Sequence, residues 1–528
     1  MGRGNESREI LARVLKDASW VYFIGIKGTG MCALAELMHN KGIHVSGSDR
    51  DEVFYTDAIL GELGIQYYES FEASHLSGTS SRPDAVVYSA AYSAENCKEI
   101  EEAERLNIPM LKYSDALGAY SAGFDSTGIT GVHGKTTTTA LAGTLLRGAG
   151  VPAQILVGSS VSTFGNRSTL SLGNAYFVAE TCEYRRHFLS FHPRRIILTS
   201  VESDHQDYYP EYKDIKKAFL EYGRLLPSGG ELIYCADDPG AAETAAELKK
   251  ERKDIILTPY GFSSENAFKI EKYEVMNERT IIRFKGFPGD FKVRIPGRHT
   301  ALNAAAALAL VSSLVRKEYG NSSEDDPLKS RSRQSHTAGC TLDGWNDERM
   351  EGVRSALEEF SGSKRRSEIL GEACGVLFMD DYGHHPTAIK TTLEGLKEFY
   401  PGRRLVLSFM SHTYTRTSAL LEEFAASFEK ADLILLHKIY ASAREVYHGG
   451  VTGRTLFEKT KERLGNTLME ERFFYAEEPD GAFELLKGIL RQGDLFITMG
   501  AGNNWTLGKK LFGYYSEQDR TLGPGGSI

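Results

Sequence analysis

The chain has 528 residues and a formal charge of −9, with 41% apolar and 25% charged residues. This is ordinary globular usage, which excludes fibrous and intrinsically disordered proteins, and the length predicts three or four domains. The acidic balance argues against a general nucleic-acid binder. Six cysteines without a C-x-x-C pair exclude a zinc ribbon and favour free thiols in a reducing compartment. The first 20 residues lack a signal-peptide core and no apolar run reaches the ~18 residues of a membrane helix, so we expect a soluble cytoplasmic protein without a membrane partner.

The first predicted elements are short strands at 21–24, 45–49 and 85–88, rich in Val, Ile, Phe and Tyr. A helical stretch follows the first of them. Strand, helix and strand at this spacing predict βαβ units and a parallel sheet.

Two further blocks show the same alternation. The second has predicted strands at 126–130, 176–178, 195–199 and 231–234, with a helix ending near 146; the third has strands at 375–379, 404–409, 433–436 and 494–498, with a helix at 420–428. We therefore predict an α/β fold in three domains, at 1–120, 121–317 and 351–528. Residues 318–350 are polar and poor in apolar residues, which predicts a disordered insertion. A phosphorylation or partner-binding loop is the alternative for this segment.

A glycine-rich loop leads from the strand at 126–130 into the next helix and reads Gly131-Val132-His133-Gly134-Lys135-Thr136-Thr137. Such a loop lets backbone N–H groups approach phosphate, while the lysine reaches the β- and γ-phosphates and the hydroxyl binds Mg²⁺. The strict Walker spacing requires glycine where Ile129 stands, so this is a shortened phosphate loop. The alternative is a glycine-rich turn with a solvated lysine.

A weaker glycine pattern follows the first strand. Gly25, Gly28 and Gly30 open a helix, and Asp49 stands about 20 residues further on, as in dinucleotide-binding folds. The spacing of the glycines is inverted relative to the dinucleotide fingerprint. The pattern indicates either a nucleotide-diphosphate site or a structural turn.

Carboxylates follow two strands of the second block. Glu180 comes after 176–178, and Asp204, His205 and Asp207 come after 195–199. Sites gather at the carboxyl ends of parallel strands, and Mg²⁺ prefers a few protein ligands together with substrate phosphates. The sequence therefore predicts a magnesium site beside the phosphate loop. An ordinary loop histidine is the alternative for His205.

Polar loops follow two strands of the third block, at 380–386 and 411–417. Adjacent histidines on an extended chain point in opposite directions, so we do not expect His384 and His385 to share a metal. Arg416 can bind a carboxylate with two parallel N–H groups. The loops predict a pocket for a small anionic or zwitterionic substrate. The alternatives are exposed polar loops and an Arg416 that pairs with a neighbouring acidic side chain.

These motifs occur together in one family, and the chain resembles the Mur ligases, the ATP-dependent amide ligases of peptidoglycan precursor synthesis. The resemblance spans nearly the whole chain apart from the insertion. The matching segments are 25–31, 130–137, 180–189, 204–205, 297–299 with 303–304, 365–368, 380–386, 412–417, 440–445 and 499–502.

The resemblance implies a Rossmann-like N-terminal domain for a uridine nucleotide, a central ATPase domain with a mostly parallel sheet, and a Rossmann-like C-terminal domain that brings the amino acid. It implies ATP and Mg²⁺ as cofactors, and UDP-N-acetylmuramate and L-alanine as the molecules joined. The cellular role implied is cell-wall biogenesis, with its links to cell shape, cell division and the cell cycle. We expect a monomer or weak dimer.

The resemblance also assigns roles to residues. The UDP-substrate site would comprise Gly25, Gly28, Thr29, Gly30, Met31 and Asp49, and the ATP site Gly131, Val132, His133, Gly134, Lys135, Thr136, Thr137, His299, Asn303 and Arg366. The metal ligands would be Thr136, Glu180 and His205, and the amino-acid site Tyr382, His384, His412 and Arg416. Lys135, His205 and Arg416 are the expected catalytic residues.

The sequence departs from the family pattern at three places. Glu180-Thr181-Cys182-Glu183 stands where Glu-Ala-Asp-Glu is usual, Thr300 replaces an asparagine on the adenine side, and Asn503-Asn504 stands where the family often has aspartate. Three other functions remain open at this point: a recycling ligase that adds a tripeptide to the same nucleotide sugar, a nucleotide-dependent dehydrogenase, and a P-loop ATPase without a small-molecule acceptor.

Overall fold

The computed structural model describes residues 14–15, 17–78, 81–263, 265–320, 342–441, 445, 447, 449–465 and 470–522. Within them the chain forms three sheets of 5, 10 and 6 strands, one after another along the sequence. Helices lie between the strands of each sheet, which confirms the predicted α/β class.

The first sheet is parallel throughout, with the order β3-β2-β1-β4-β5. Its order reverses between β1 and β4, and ligands of doubly wound sheets bind at such a point. The strands are β1 (Trp20–Ile24), β2 (His44–Ser48), β3 (Gln66–Tyr68), β4 (Ala85–Tyr88) and β5 (Met110–Lys112). The helices are α1 (Thr29–Asn40), α2 (Thr56–Leu63), α3 (Ser74–Ser77), α4 (Lys98–Arg105) and α5 (Tyr113–Ser121).

The second sheet has the order β15-β14-β13-β12-β11-β10-β6-β9-β7-β8. It is parallel from β13 to β7, and antiparallel pairs extend it at both edges. The strands are β6 (Asp125–Thr130), β7 (Ala153–Val161), β8 (Arg167–Ser171), β9 (Tyr176–Glu180), β10 (Arg195–Leu198), β11 (Glu231–Cys235), β12 (Ile256–Gly261), β13 (Phe268–Val275), β14 (Thr280–Phe284) and β15 (Phe291–Val293). The helices are α6 (Lys135–Gly148), α7 (Tyr212–Gly223), α8 (Pro239–Glu251), α9 (Arg298–Tyr319) and α10 (Asp347–Glu359).

The third sheet has the order β16-β17-β21-β18-β19-β20 and is parallel except for the β16–β17 pair. The strands are β16 (Glu368–Ala373), β17 (Val376–Asp381), β18 (Arg404–Met410), β19 (Leu433–Leu436), β20 (Phe473–Tyr475) and β21 (Asp494–Gly500). The helices are α11 (Pro386–Phe399), α12 (Tyr414–Ala419), α13 (Leu421–Ser427), α14 (Gly453–Leu464), α15 (Phe483–Ile489) and α16 (Asn504–Leu522). Short 3₁₀ turns lie at Ser162–Phe164, Tyr184–Ser190, Glu470–Arg472 and Pro479–Ala482.

Helix α10 packs on the second domain. Its residues Met350, Val353 and Leu357 are buried in the same apolar core as α6 and α9. At the crossing of α6 and α10, a Cβ added to Gly148 or Gly352 would overlap the carbonyl oxygen of the other glycine. Helix α10, which the predicted bounds place largely in the third domain, thus shares the core of α6 and α9.

The predicted insertion at 318–350 overlaps two helices. Residues 318–319 end α9 and 347–350 begin α10, because both ends carry apolar side chains that the core of the second domain buries. Residues 321–341 lie outside the described part of the chain. The prediction of disorder therefore stays a prediction for those residues alone.

Polar contacts connect the first domain to the second. The buried carboxylate of Glu36 on α1 pairs with Arg167 on β8 and accepts a 2.5 Å hydrogen bond from Thr169 Oγ1. Arg167 also contacts the exposed Glu62 at 2.6 Å. Among the described residues, no helix combines the length and apolar character that a bilayer crossing requires.

Candidate active site

A cleft of about 530 Å³ lies where the carboxyl ends of the second sheet face the third domain. Its walls include the phosphate loop, the start of α9 and the segment after β17. Most of the residues predicted for ATP, metal and amino-acid binding line it or contact residues that do.

The predicted phosphate loop leads from β6 into the N-terminus of α6. It turns sharply between β6 and α6, with φ of 136° at Gly131 and 81° at Gly134. Side chains rarely adopt these angles, and a Cβ at Gly134 would lie 2.7 Å from Asn303 Oδ1. Val132 N and His133 N donate to Ser200 O and Oγ at 3.1 and 2.9 Å. The loop then leads directly into the N-terminus of α6, a position where phosphate is favoured.

Lys135 forms an ion pair that the sequence did not predict. Its Nζ lies 2.9 Å from Glu183 Oε2 and donates to Gly131 O at 2.5 Å. Burial opposes the charge of Lys135, but the Glu183 carboxylate outweighs it and raises the pKa of the lysine. Lys135 therefore stays positively charged where the phosphate loop joins α6. Glu183 stands three residues after the predicted ligand Glu180, but no local pattern in the sequence pairs it with Lys135.

Thr136 and Glu180 meet as a magnesium site would require. Thr136 Oγ1 donates to Glu180 Oε1 at 3.1 Å, and Gly158 N donates to Glu180 Oε2 at 2.9 Å. Octahedral Mg²⁺ binds oxygen at about 2.1 Å, so neighbouring ligands lie about 3 Å apart. The oxygen pair of Thr136 and Glu180 fits one edge of that octahedron.

His205 lies on the Glu183 side of the loop. Its Nε2 is 3.3 Å from Glu183 Oε1, and its backbone has a φ of 55°. Glu183 thus lies between Lys135 and His205, while Glu180 contacts Thr136. The contacts shown thus join Thr136 to Glu180 and His205 to Glu183, and the role of Thr136, Glu180 and His205 as metal ligands stays a prediction.

Arg416 pairs with Asp204 across the division between the second and third domains. The Nη2 and Nε atoms of Arg416 donate to Asp204 Oδ1 at 2.8 and 2.9 Å, and both side chains are buried. Burial raises the pKa of Asp204, but Arg416 outweighs this and holds the pKa well below its usual range. The structure thus shows the paired Arg416 that the sequence left open as an alternative, and the contact with an amino-acid carboxylate stays a prediction.

The other residues predicted for amino-acid binding surround Arg416. Its Nη1 lies 3.0 Å from His412 Nδ1, and the rings of His384 and His412 are 5.5 Å apart. The ring of Tyr382 is 5.0 Å from that of His384. Burial, and then the charge of Arg416, lower the pKa of His384 well below its usual range. The pocket therefore combines a cation with a neutral imidazole.

The other residues predicted for ATP are His299 and Asn303 at the start of α9 and Arg366 just before β16. His299 lines the cleft, and burial lowers its pKa to about 4. Asn303 accepts a 3.2 Å hydrogen bond from Thr138 Oγ1, and Arg366 stacks over Tyr382. Thr300 is buried and donates to Pro296 O at 2.8 Å, so the residue that departs from the family pattern is used inside the fold.

The glycine loop of the first domain opens α1. Gly25 has a φ of 85°, and the buried Asp49 carboxylate accepts from Lys27 N at 2.7 Å. Asp49 therefore holds the loop. Met31 is buried in the core, which leaves its backbone N–H as the group that can face a ligand. Thr29 Oγ1 accepts from Tyr55 OH at 3.1 Å, and Gly28 precedes the helix as its N-cap.

A second cavity of about 230 Å³ connects the two domains. Gly30 and Tyr113 line it on the side of the first domain, and Glu180 and Cys182 on the side of the second. A molecule held at the glycine loop can thus reach the proposed magnesium ligand.

Models of the Mur ligase family match all three parts of the chain. The catalytic-domain model covers 21–125, the middle-domain model 129–311, and the glutamate ligase domain model 365–502. The UDP-N-acetylmuramate–L-alanine ligase of Treponema pallidum strain Nichols is 48% identical over 95% of this chain and 98% of its own. The enzyme of the same name from Borreliella afzelii is 38% identical over 92% of this chain and 97% of its own.

The chain belongs to the Mur ligase family. Solved structures of Mur ligases share the fold. UDP-N-acetylmuramate-alanine ligase MurC from Thermotoga maritima has a TM-score of 0.69 at 23% identity, covering 94% of this chain and 99% of its own. A murein peptide ligase from Psychrobacter arcticus has a TM-score of 0.61 at 21% identity, with the same coverage.

Proposed function

We propose that this Mur ligase joins L-alanine to the lactyl carboxylate of UDP-N-acetylmuramate at the expense of ATP. The observation that carries the proposal is that the phosphate loop, Asp204 and His384 line one cleft. Within this arrangement Thr136 of the loop contacts Glu180, and Asp204 pairs with Arg416. The relatives of the same name that align along nearly the whole chain support this substrate pair.

ATP fits the phosphate loop, with its β- and γ-phosphates toward Lys135 and its adenine toward His299. The oxygen ligands Thr136 and Glu180 suit Mg²⁺, which would neutralise phosphate charge when bound. His205 and Glu183 extend the polar set toward the cleft. We assign Gly131–Thr137, His299, Asn303 and Arg366 to ATP.

The nucleotide sugar would lie on the first domain, against Gly25, Gly28, Gly30 and the backbone of α1. The cavity between Gly30 and Glu180 then leads the lactyl carboxylate to the phosphate loop. We assign Thr29, Met31 and Asp49 to the support of this site, because Asp49 fixes the loop and Met31 fills the core behind it.

The reaction would proceed in two steps. The lactyl carboxylate attacks the γ-phosphorus of ATP and displaces ADP, which gives an acyl phosphate. The amine of L-alanine then attacks the acyl carbon, phosphate leaves, and the amine proton passes to a base. Lys135 stabilises the transferring phosphoryl group, and the third domain shields the acyl phosphate from water.

L-Alanine would bind beside Tyr382, His384 and His412, with its carboxylate near Arg416. We infer a cytoplasmic enzyme of cell-wall synthesis, active as a monomer or weak dimer. A cytoplasmic site of action accords with soluble nucleotide substrates, and the inferred pathway connects the enzyme to cell shape and division.

The proposal is tested by phosphate release from ATP in the presence of UDP-N-acetylmuramate and one acceptor at a time. We expect L-alanine to be the best acceptor, glycine and L-serine poorer ones, and the tripeptide the poorest. Loss of one methyl group costs about 1–3 kcal/mol, so glycine should be disfavoured only moderately. A preference for tripeptide would identify a recycling ligase, and ATP turnover independent of any acceptor would identify an ATPase.

A further inference from the structure

Three side chains that the proposed reaction does not use as a group converge at one side of the cleft. His133 is in the phosphate loop, Glu202 follows β10, and His385 precedes α11. One ligand atom from each lies within 4.8 Å of the others. His133 Nε2 contacts Glu202 Oε1, and His385 Nδ1 lies 3.8 Å from the same oxygen.

The polar atoms of this cluster are incompletely satisfied. Among the described residues, His385 Nε2 is buried without a hydrogen-bond partner, whereas His133 Nε2 and Glu202 Oε1 face each other. His385 Nδ1 accepts only a long bond of 3.3 Å, from Thr387 N. Buried polar atoms without hydrogen bonds are uncommon in folded proteins and call for a ligand or another explanation.

The donor set favours a cation over a phosphate group. Glu202 places a negative charge between the two imidazoles, and burial, followed by the neighbouring His133, lowers the pKa of His385. Two imidazoles and one carboxylate with an open position form a common zinc site, whereas Mg²⁺ prefers oxygen ligands.

The spacing suits a tetrahedral ion. Ligands at about 2.0–2.1 Å from zinc are separated by about 3.3–3.4 Å, within about 0.5 Å of the separation between His385 Nδ1 and Glu202 Oε1. The His133 side chain is 26% exposed, so its ring has room to move back from Glu202.

We propose that His133, Glu202 and His385 form a binding site for a divalent metal ion such as Zn²⁺ or Co²⁺. This site is separate from the Thr136–Glu180 site. The ligands come from the phosphate loop and from the third domain, so a bound ion fixes α11 against the phosphate loop. Thr387 Oγ1 donates to Glu202 Oε2 at 3.0 Å and already connects the same two parts.

The test uses the full-length, chelator-treated protein without nucleotide, titrated with Co²⁺ in the presence of excess Mg²⁺. Magnesium occupies the oxygen-rich site, and Co²⁺ reports nitrogen ligands through its visible spectrum. We expect one Co²⁺ per chain with a four- or five-coordinate spectrum, and Zn²⁺ should displace it. Added on top of excess Mg²⁺, Zn²⁺ should raise the melting temperature further.

Two variants and a matched control locate the ion. His385→Asn removes the imidazole but keeps a good N-cap for α11, and His133→Gln tests the more exposed ligand. Each should weaken Co²⁺ binding by more than about 100-fold, since loss of even an outer-shell partner costs about 10–100-fold. His384→Gln, one residue away, should retain tight binding.

Several results would overturn the proposal. Absence of Co²⁺ binding, or unchanged affinity in both His385→Asn and His133→Gln, would do so. A cobalt–thiolate absorption band would place the ion on Cys182, and loss of binding in His205→Gln would place it beside Glu183. None of these measurements requires the ligase reaction, so they stand apart from the proposed function.

Discussion

Substitutions can separate the catalytic effect of Lys135 from the structural effect of its ion pair with Glu183. We expect the charge of Lys135 to act in the reaction, while both charges stabilise the fold. Glu183 is 2% exposed and faces Lys135 at 2.9 Å. Lys135→Ala should lower ATP-dependent phosphate release at least about 100-fold, since a charge that stabilises the transferring group is lost. It should also lower the free energy of unfolding by about 3–5 kcal/mol, since a buried carboxylate loses its partner.

The double variant Lys135→Ala/Glu183→Gln provides the control. It should regain most of the stability in denaturant unfolding while phosphate release stays low. Near-normal turnover in Lys135→Ala would remove the phosphate loop from the mechanism.

Arg416 pairs with Asp204 in the structure. Substitutions can distinguish this pairing from the proposed binding of the L-alanine carboxylate by Arg416. Arg416→Ala should raise KM for L-alanine about 10–100-fold if the guanidinium binds the carboxylate, because hydrogen bonds to charged groups contribute about 1.5–3 kcal/mol. Asp204→Asn keeps the guanidinium and removes the paired charge, so it should change this KM much less. Equal effects of the two substitutions in initial-rate assays would mean that Arg416 acts by positioning the third domain.

Residues 321–341, which lie between the helices α9 and α10, should be dispensable for ligase activity and for stability. Their composition is polar, and the helices on either side of them, α9 and α10, pack on α6 without them. Replacing 321–341 by a short Gly/Ser linker should preserve ligase activity and the melting temperature. A replacement that extends to 350 should be destabilising because it removes Met350 from the core, and loss of activity in a folded 321–341 variant would contradict the prediction.

The strands that the sequence predicts well are continuous apolar runs. β4 and β19 occur at the predicted residues, since both faces of a parallel strand are buried. The sequence analysis missed the edge strand β8, whose residues are mostly polar, and β13, whose residues alternate between buried and exposed. Such strands are stabilised by neighbours that a local pattern does not reveal.

The candidate site was predictable where motifs are local. The loop at 131–137 and the candidate ligand Glu180 could be singled out because glycines, a lysine and a strand end stand close in sequence. The partners of Lys135 and Arg416 could not, since Glu183 and Asp204 approach them only through the fold. Asp204 and Arg416 stand 212 residues apart.

For the whole molecule, the contact between Glu36 and Arg167 should couple the first domain to the second. Arg167→Ala leaves the buried Glu36 without its cation and should cost about 3–5 kcal/mol of stability. Glu62→Gln removes the exposed partner of the same arginine and should cost less than about 1 kcal/mol. Thermal unfolding of the two variants measures the difference, and equal melting temperatures would show that the pair is not coupled to folding.

The pair of Asp204 and Arg416 should make stability depend on pH only in acid. A carboxyl with a lowered folded-state pKa contributes stability that is complete above its unfolded value of about 3.9 and is lost as pH falls through the folded value. The difference in unfolding free energy between the unmodified protein and Asp204→Asn should thus be constant from about pH 6 to 8 and shrink below about pH 4. A difference that varied strongly near neutrality would assign the linkage to another group.

Because Gly148 and Gly352 are in close contact, a displacement at this crossing would tilt the whole of α6. The helix has 14 residues and is about 21 Å long, with the phosphate loop at one end and the glycine contact at the other. A methyl group at Gly352 would push the C-terminal end of α6 away from α10, while the hydrogen bond from Thr138 to Asn303 connects the first turn of α6 to α9. The resulting tilt would turn the N–H groups of the loop away from the phosphates. The substitution at Gly352 would thus weaken ATP binding although it lies far from the nucleotide.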